Sequence, residues 1–207
     1  GASGDLPARR LMPALYALAA QDLLPRCVSI VGVARSGMSQ ESFRGRMREA
    51  VEKFSRLGSV REEVWAPLAK TMHYLPAAVE DPKGARRLRD LLDRVDQSCG
   101  TEGNHLFYLA TPPTAYAGIV RALGKAELAA ADSGKGWGRI IIEKPFGRDL
   151  PSARELNRQV LEVFRENEYA DPINVSDQDM DGVMGNESVT LDVAAGQKIT
   201  FAKYHPE

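Results

Sequence analysis

The first residues that could do chemistry are Gly1-Ala2-Ser3-Gly4-Asp5-Leu6, which run straight into PARRLMPALYALAA. Glycines let a backbone turn tightly and approach a phosphate with no side chain in the way. A helix that follows such a turn offers free N–H groups and the positive end of its dipole to an anion. The spacing is not G-x-G-x-x-G, and an ordinary glycine turn fits these residues equally well. A second candidate is Arg35, which ends the apolar run VSIVGVA and has no acid at Val33, Ala34 or Ser36. A guanidinium there suits a phosphate through charge-assisted hydrogen bonds, and a solvated surface arginine is the alternative. A third is Lys144, in Glu143-Lys144-Pro145-Phe146-Gly147 after the run RIII. Its ammonium carries three donors for a hydroxyl or a phosphate, although a lysine beside a turn is also common. A fourth is Tyr116, in ATPPTAY, which reads either as core or as a ligand contact.

These residues need elements to hold them. Leu11, Ala14, Leu15 and Leu18 recur at helical spacing, which predicts an amphipathic helix over 7–20. The β-branched run 28–34 predicts a buried strand. Ser39 begins a helix through Phe54, and another helix covers 61–71. A strand over 72–77 precedes Asp81-Pro82, which caps a helix through Val95. HLFYLAT (105–111) is a strand, PPTAYAGIVRALG a helix with proline at its start, RIIIEKPF (139–146) a strand, and a last helix begins near Pro151. Strands alternating with helices imply βαβ units, and so an α/β fold with a doubly wound parallel sheet.

In such a sheet ligands bind beyond the carboxyl ends of the strands. All four candidates fall at those ends or at a glycine turn opening a helix, the arrangement of a Rossmann-like dinucleotide fold. Arg35 then stands where the adenosine ribose is read. An acid at that position accepts from a ribose 2′-hydroxyl and favours NAD, whereas an arginine favours the 2′-phosphate of NADP. A dinucleotide fold also places a strand before its glycine turn, so the sequence predicts a first strand cut off upstream of Gly1.

Composition sets further bounds. Hydrophobic residues make up 43% and charged residues 27%, enough for a core, and the formal net charge of -1 gives no bulk attraction to nucleic acid or to an anionic membrane. No apolar run is long enough to span a bilayer. Cys27 and Cys99 lie in no metal or redox motif, which favours free thiols and a cytoplasmic setting.

Taken together and in order, GASGDLPARRLMPALYAL, VGVARS, HLFYLATPPTAY and GRIIIEKPFGRDLPSARELN resemble the glucose-6-phosphate dehydrogenase family over residues 1–168. The resemblance implies an NADP-binding Rossmann-like domain, oxidation of glucose 6-phosphate to 6-phosphogluconolactone, and a place in the pentose phosphate pathway. It implies that Gly1, Ala2, Ser3, Gly4, Asp5 and Leu6 form the cofactor loop, that Arg35 meets the 2′-phosphate, and that Tyr116 touches the cofactor. Lys144 corresponds to the family's lysine that touches both cofactor and sugar phosphate. The family often has a lysine shortly after GDL, where this chain has Pro7-Ala8 and then Arg9-Arg10.

The family continues into a run containing R-I-D-H-Y-L-G-K-E. A second, larger domain follows with the catalytic His–Asp pair and the surface for a homo-oligomer. Neither occurs in these 207 residues, whose histidines are His73, His105 and His205, so no catalytic residue is assigned. A module that binds NADP without chemistry, or a truncated or chimeric chain without activity, remains an alternative.

From 169 to 207 the sequence does not match the family. Residues 169–187 are polar and acidic and read as loop, and 188–205 read as two strands with a turn at Ala195-Gly196. Asp177, Asp179, Asp181 and Gly182 match the start of a calcium loop, but its twelfth position is Ser188 rather than Glu, and a solvated acidic loop fits better.

Overall fold

The structure is a computed structural model that describes residues 1–129, 136–143 and 145–164, together with the backbone of two strands at 188–193 and 197–202. The chain divides into two compact units, Gly1–Phe164 and Arg165–Glu207.

The first unit opens on a π-helical turn, Pro7–Leu11, that continues into α1 (Met12–Ala20). Then come β1 (Ile30–Ala34), α2 (Gln40–Phe54), α3 (Glu62–Lys70), β2 (Met72–Pro76) and α4 (Pro82–Cys99). β3 (His105–Leu109), a 3-10 turn at Pro113–Ala115, α5 (Tyr116–Lys125), β4 (Gly138–Ile142) and α6 (Leu150–Val163) complete it. The alternation read from the sequence is present. The second unit contains β5 (Ser188–Val193) and β6 (Gln197–Ala202), paired antiparallel from Ser188 opposite Ala202 to Val193 opposite Gln197.

Local chemistry sets the boundaries. The Ser39 side chain accepts from the Ser42 N–H at 3.1 Å and starts α2, and Asp81 accepts from the Lys83 N–H at 2.8 Å and starts α4. Asp149 and Ser152 cap each other at the head of α6. Gly100, at φ +66, ends α4 in the left-handed region. Each strand is shorter than its apolar run. β3 stops at Leu109, where the Ala110 N–H turns back to the Tyr108 carbonyl at 3.1 Å, and β4 stops at Ile142, three residues before Pro145.

β1 runs parallel to β2, with Ile30 opposite Met72 and Ala34 opposite Pro76. β3 runs parallel to β4, with His105 opposite Gly138 and Leu109 opposite Ile142. The four strands thus form two parallel pairs, each joined by helix in the βαβ manner expected from the sequence. Among the described residues no strand lies between β1 and β3. Gly1 and Ala2 link the pairs instead: the Ala2 N–H donates to the Val33 carbonyl at 2.9 Å, and the Gly1 nitrogen donates to the Ala110 carbonyl.

The core under β1 and β2 gathers Met12 and Tyr16 from α1, Met47 and Val51 from α2, Trp65 from α3, and Met72. The fully buried Tyr16 hydroxyl accepts from the Arg61 N–H at 2.8 Å, so its polar end is satisfied. At the far end of the strands His105 donates from Nε2 to the Asp96 carboxylate at 3.1 Å, which ties β3 to α4. Cys27 and Cys99 are free thiols. Among the described residues no helix is long and apolar enough to cross a membrane.

Gly84, in the first turn of α4, is where backbone meets backbone. A Cβ there would lie 1.8 Å from the Ala78 carbonyl oxygen. Helix propensity alone favours alanine by about 1 kcal/mol. Backbone cannot yield as a flexible side chain does, so Gly84→Ala is expected to lower the unfolding free energy by about 1–3 kcal/mol in a urea titration. An unchanged or higher midpoint would contradict this packing.

Candidate functional site

The loop Gly1–Leu6 lies against the carboxyl end of β1. A Cβ on Gly1 would sit 3.3 Å from the Val33 carbonyl oxygen and 3.4 Å from the Ala34 Cβ, and one on Gly4 would sit 3.1 Å from the Gly1 carbonyl oxygen. The loop is thus tight enough that bulk at Gly1 or Gly4 would press on backbone. Its own turn is closed by the Gly4 N–H donating to the Gly1 carbonyl at 2.9 Å. The helix behind it opens on Asp5 and Leu6, has no side-chain cap at Leu6, and carries in Pro7 a residue with no N–H. A π-helical start is itself a feature often found at functional sites.

Arg35 follows β1 directly and is exposed. Among the described residues its guanidinium has no ion-pair or hydrogen-bond partner, whereas Arg9 pairs with Asp5 at 3.3 Å and Arg48 with Glu62 at 2.7 Å. Arg9 also lies over the Phe54 ring, 5.2 Å from its centroid. The positive charge of Arg10 acts on the Tyr108 hydroxyl.

The ends of β3 and β4 are joined through Glu143. The Tyr108 hydroxyl donates to the Glu143 carboxylate. The Tyr116 hydroxyl donates to the Glu143 backbone carbonyl at 3.5 Å, a long bond, while the Tyr116 side chain is 2% exposed. Burial first, then the Glu143 hydrogen bond and charge, push the Tyr108 phenol well above its ordinary range. Burial and the same carboxylate raise Tyr116. The Thr111 hydroxyl, just after β3, is buried and has no partner among the described residues.

The structure therefore brings Gly1 through Leu6, Arg35 and Tyr116 to the carboxyl ends of β1, β3 and β4. Lys144, Ala195-Gly196, His205 and the acidic run Asp177–Gly182 lie outside the described residues. His73 and His105 sit at the amino ends of β2 and β3, away from this site. Sequence reading gave no role to Tyr108, Tyr74 or Thr111. Tyr108 sits inside an apolar strand run and looks like core, and the alternation of a five-residue strand carries no signal for a hydroxyl that reaches a neighbouring strand's acid.

Parallel βαβ units, a glycine turn at the head of a helix and a cluster of groups at the carboxyl strand ends define a Rossmann-like nucleotide-binding domain. A family model described as "Glucose-6-phosphate dehydrogenase, NAD binding domain" matches residues 1–169, and the chain belongs to that family. The glucose-6-phosphate 1-dehydrogenase of Chlamydia muridarum is 43% identical over 160 residues, covering 76% of this chain and 32% of its own length. Among solved structures, the glucose-6-phosphate 1-dehydrogenase from Mycobacterium avium aligns with a TM-score of 0.66 at 31% identity, over 83% of this chain and 34% of that one. A glucose-6-phosphate dehydrogenase in complex with its substrate glucose-6-phosphate aligns with a TM-score of 0.69 at 32% identity, over 81% of this chain and 34% of that one. The chain spans about a third of the length of these relatives.

Tyr108 keeps its proton in the folded protein above the pH, about 10, at which an unfolded chain would release it. The folded state then binds more protons than the unfolded one, so stability falls as pH rises past 10. Tyr108→Phe removes both the donor and this dependence. It is expected to cost about 1–3 kcal/mol at pH 8, with a smaller further loss between pH 9 and 11 than the unaltered protein shows in denaturant melts. Parallel pH profiles for the two proteins would count against the Tyr108–Glu143 bond.

Proposed function

We propose that this chain is the cofactor-binding part of an NADP-dependent glucose-6-phosphate dehydrogenase. The observation that carries the reading is Arg35, a guanidinium with no partner among the described residues, standing beside a tight glycine loop at the carboxyl end of β1. The backbone N–H groups at the head of the helix that opens on Asp5 would receive the pyrophosphate, and Gly1 and Gly4 leave room for its close approach. Arg35 would take the 2′-phosphate in charge-assisted bonds, which an acid at this position could not form. Tyr116, at the start of α5, is assigned to the cofactor on family likeness, while its own side chain is buried here. When bound, the nicotinamide ring supplies the hydride acceptor for oxidation of the sugar's anomeric carbon to the lactone.

Lys144, next in sequence to Glu143, is assigned to the cofactor and to the sugar phosphate on family likeness. No described histidine stands at this site to take the proton of the anomeric hydroxyl, so the reading for these residues is binding and orientation, not turnover. Glucose 6-phosphate as the substrate, the pentose phosphate route, a cytoplasmic setting and a homo-oligomeric whole enzyme belong to the same proposal.

Titration calorimetry of the purified chain with NADP and with NAD tests it. NADP is expected to bind the more tightly. Arg35→Ala should weaken NADP by about ten- to a hundredfold, the worth of a charged hydrogen-bonding pair, and leave NAD nearly unchanged. Equal affinities in the unaltered chain would overturn the assignment of NADP.

A further inference from the structure

Arg35 and Ser36 stand beyond the last ladder bond between β1 and β2, in which the Ala77 N–H donates to the Ala34 carbonyl at 2.8 Å. Both residues are exposed. The group that holds this segment is Tyr74, in β2 opposite Gly32 and 8% exposed. Its hydroxyl donates to the Ser36 carbonyl at 2.7 Å. The same oxygen lies 3.0 Å from Ser36 Oγ. A phenol has one proton, and the carbonyl takes it, so the serine hydroxyl donates the second bond. The Tyr74 ring is fixed in turn by Phe43, with centroids 5.0 Å apart and planes tilted by 32°. Phe43 fills the space over Gly32, where a Cβ would come within 2.5 Å of its Cζ. Gly32, Phe43, Tyr74 and Ser36 thus form a connected brace from the middle of β1 to the residue after Arg35.

We propose that Tyr74 is a positioning residue for cofactor selectivity: by clamping Ser36 it fixes the backbone from which Arg35 presents its guanidinium to a 2′-phosphate. The inference rests on the dinucleotide reading above. Arginine is long and rich in rotamers, and every bond it makes must offset the ordering of its side chain. Planar recognition of a phosphate also demands alignment. A backbone anchored by two hydrogen bonds lowers that ordering cost. A cofactor without the 2′-phosphate gains nothing from the anchor, so Tyr74 acts on the difference between NADP and NAD rather than on dinucleotide binding as such.

The test uses the full chain with Tyr74→Phe and Ser36→Ala. NADP, NAD, 2′,5′-ADP and adenosine 5′-diphosphate are titrated by calorimetry, with circular dichroism as the check on folding. Tyr74→Phe keeps the ring and removes the clamp. It is expected to weaken NADP and 2′,5′-ADP by about five- to tenfold while NAD and adenosine 5′-diphosphate change less than about twofold. Ser36→Ala, which keeps the bond to the carbonyl, should cause a smaller loss of the same selectivity. Equal weakening of all four ligands, or no weakening of any, overturns the inference, because a merely structural tyrosine predicts the first and an idle one the second. If Tyr74→Phe does not fold, Ser36→Ala decides: loss confined to the 2′-phosphorylated ligands supports the clamp, and any other result overturns it. Binding of neither cofactor by the unaltered chain overturns the dinucleotide reading and this inference with it. Preference for NADP that Arg35→Ala abolishes and Tyr74→Phe leaves intact overturns this inference alone.

Discussion

Two hydrogen bonds from the first two residues, Ala2 to the Val33 carbonyl and the Gly1 nitrogen to the Ala110 carbonyl, hold the carboxyl ends of β1 and β3 side by side. The rest of the site depends on this stitch. Parallel strands bring their carboxyl ends to one edge, and the loops that leave that edge carry the polar groups. Here the stitch is made by the glycine loop itself. The glycine loop therefore sets the spacing between Arg35, after β1, and the Tyr116 turn, after β3. A side chain on Gly1 or Gly4 would press on this joint.

Buried and exposed polar contacts do different things in this domain. The exposed ion pairs, among them Arg48–Glu62 and Arg89–Glu127, are solvated and contribute little. The bonds that fix geometry sit in partly buried places: Tyr108 and Tyr116 on Glu143, Tyr74 on Ser36, Tyr16 on Arg61. In each case a tyrosine buries its ring among apolar neighbours and delivers one hydroxyl across an element boundary. Two of the four reach the end of β4 and one the end of β1, the strand ends where the site lies.

Much of this was legible in the sequence. The order of helices and strands, the caps at Ser39 and Asp81 and the glycine loop all follow from spacing and from residue type. Strand ends were less legible, because an apolar run does not show where a backbone N–H turns back on its own strand, as Ala110 does to Tyr108. The register of each strand pair was not legible, since periodicity reports burial and not which residues face each other across a ladder. The place of Arg35 directly after β1 was readable, because the apolar run VSIVGVA ends just before it. Tyr74 and Tyr108 were not, because a tyrosine in a strand looks like core until its hydroxyl is seen to reach a loop or an acid on another element.

The close approach at Gly84 has a further consequence for tolerance to substitution. The first turn of α4 meets the Ala78 carbonyl, just after β2, through main chain alone. A main-chain contact is indifferent to the volume of the side chains around it. The docking of α4 therefore survives exchange of one apolar residue for another at Leu88, Leu92 or Val95 more readily than any bulk at position 84.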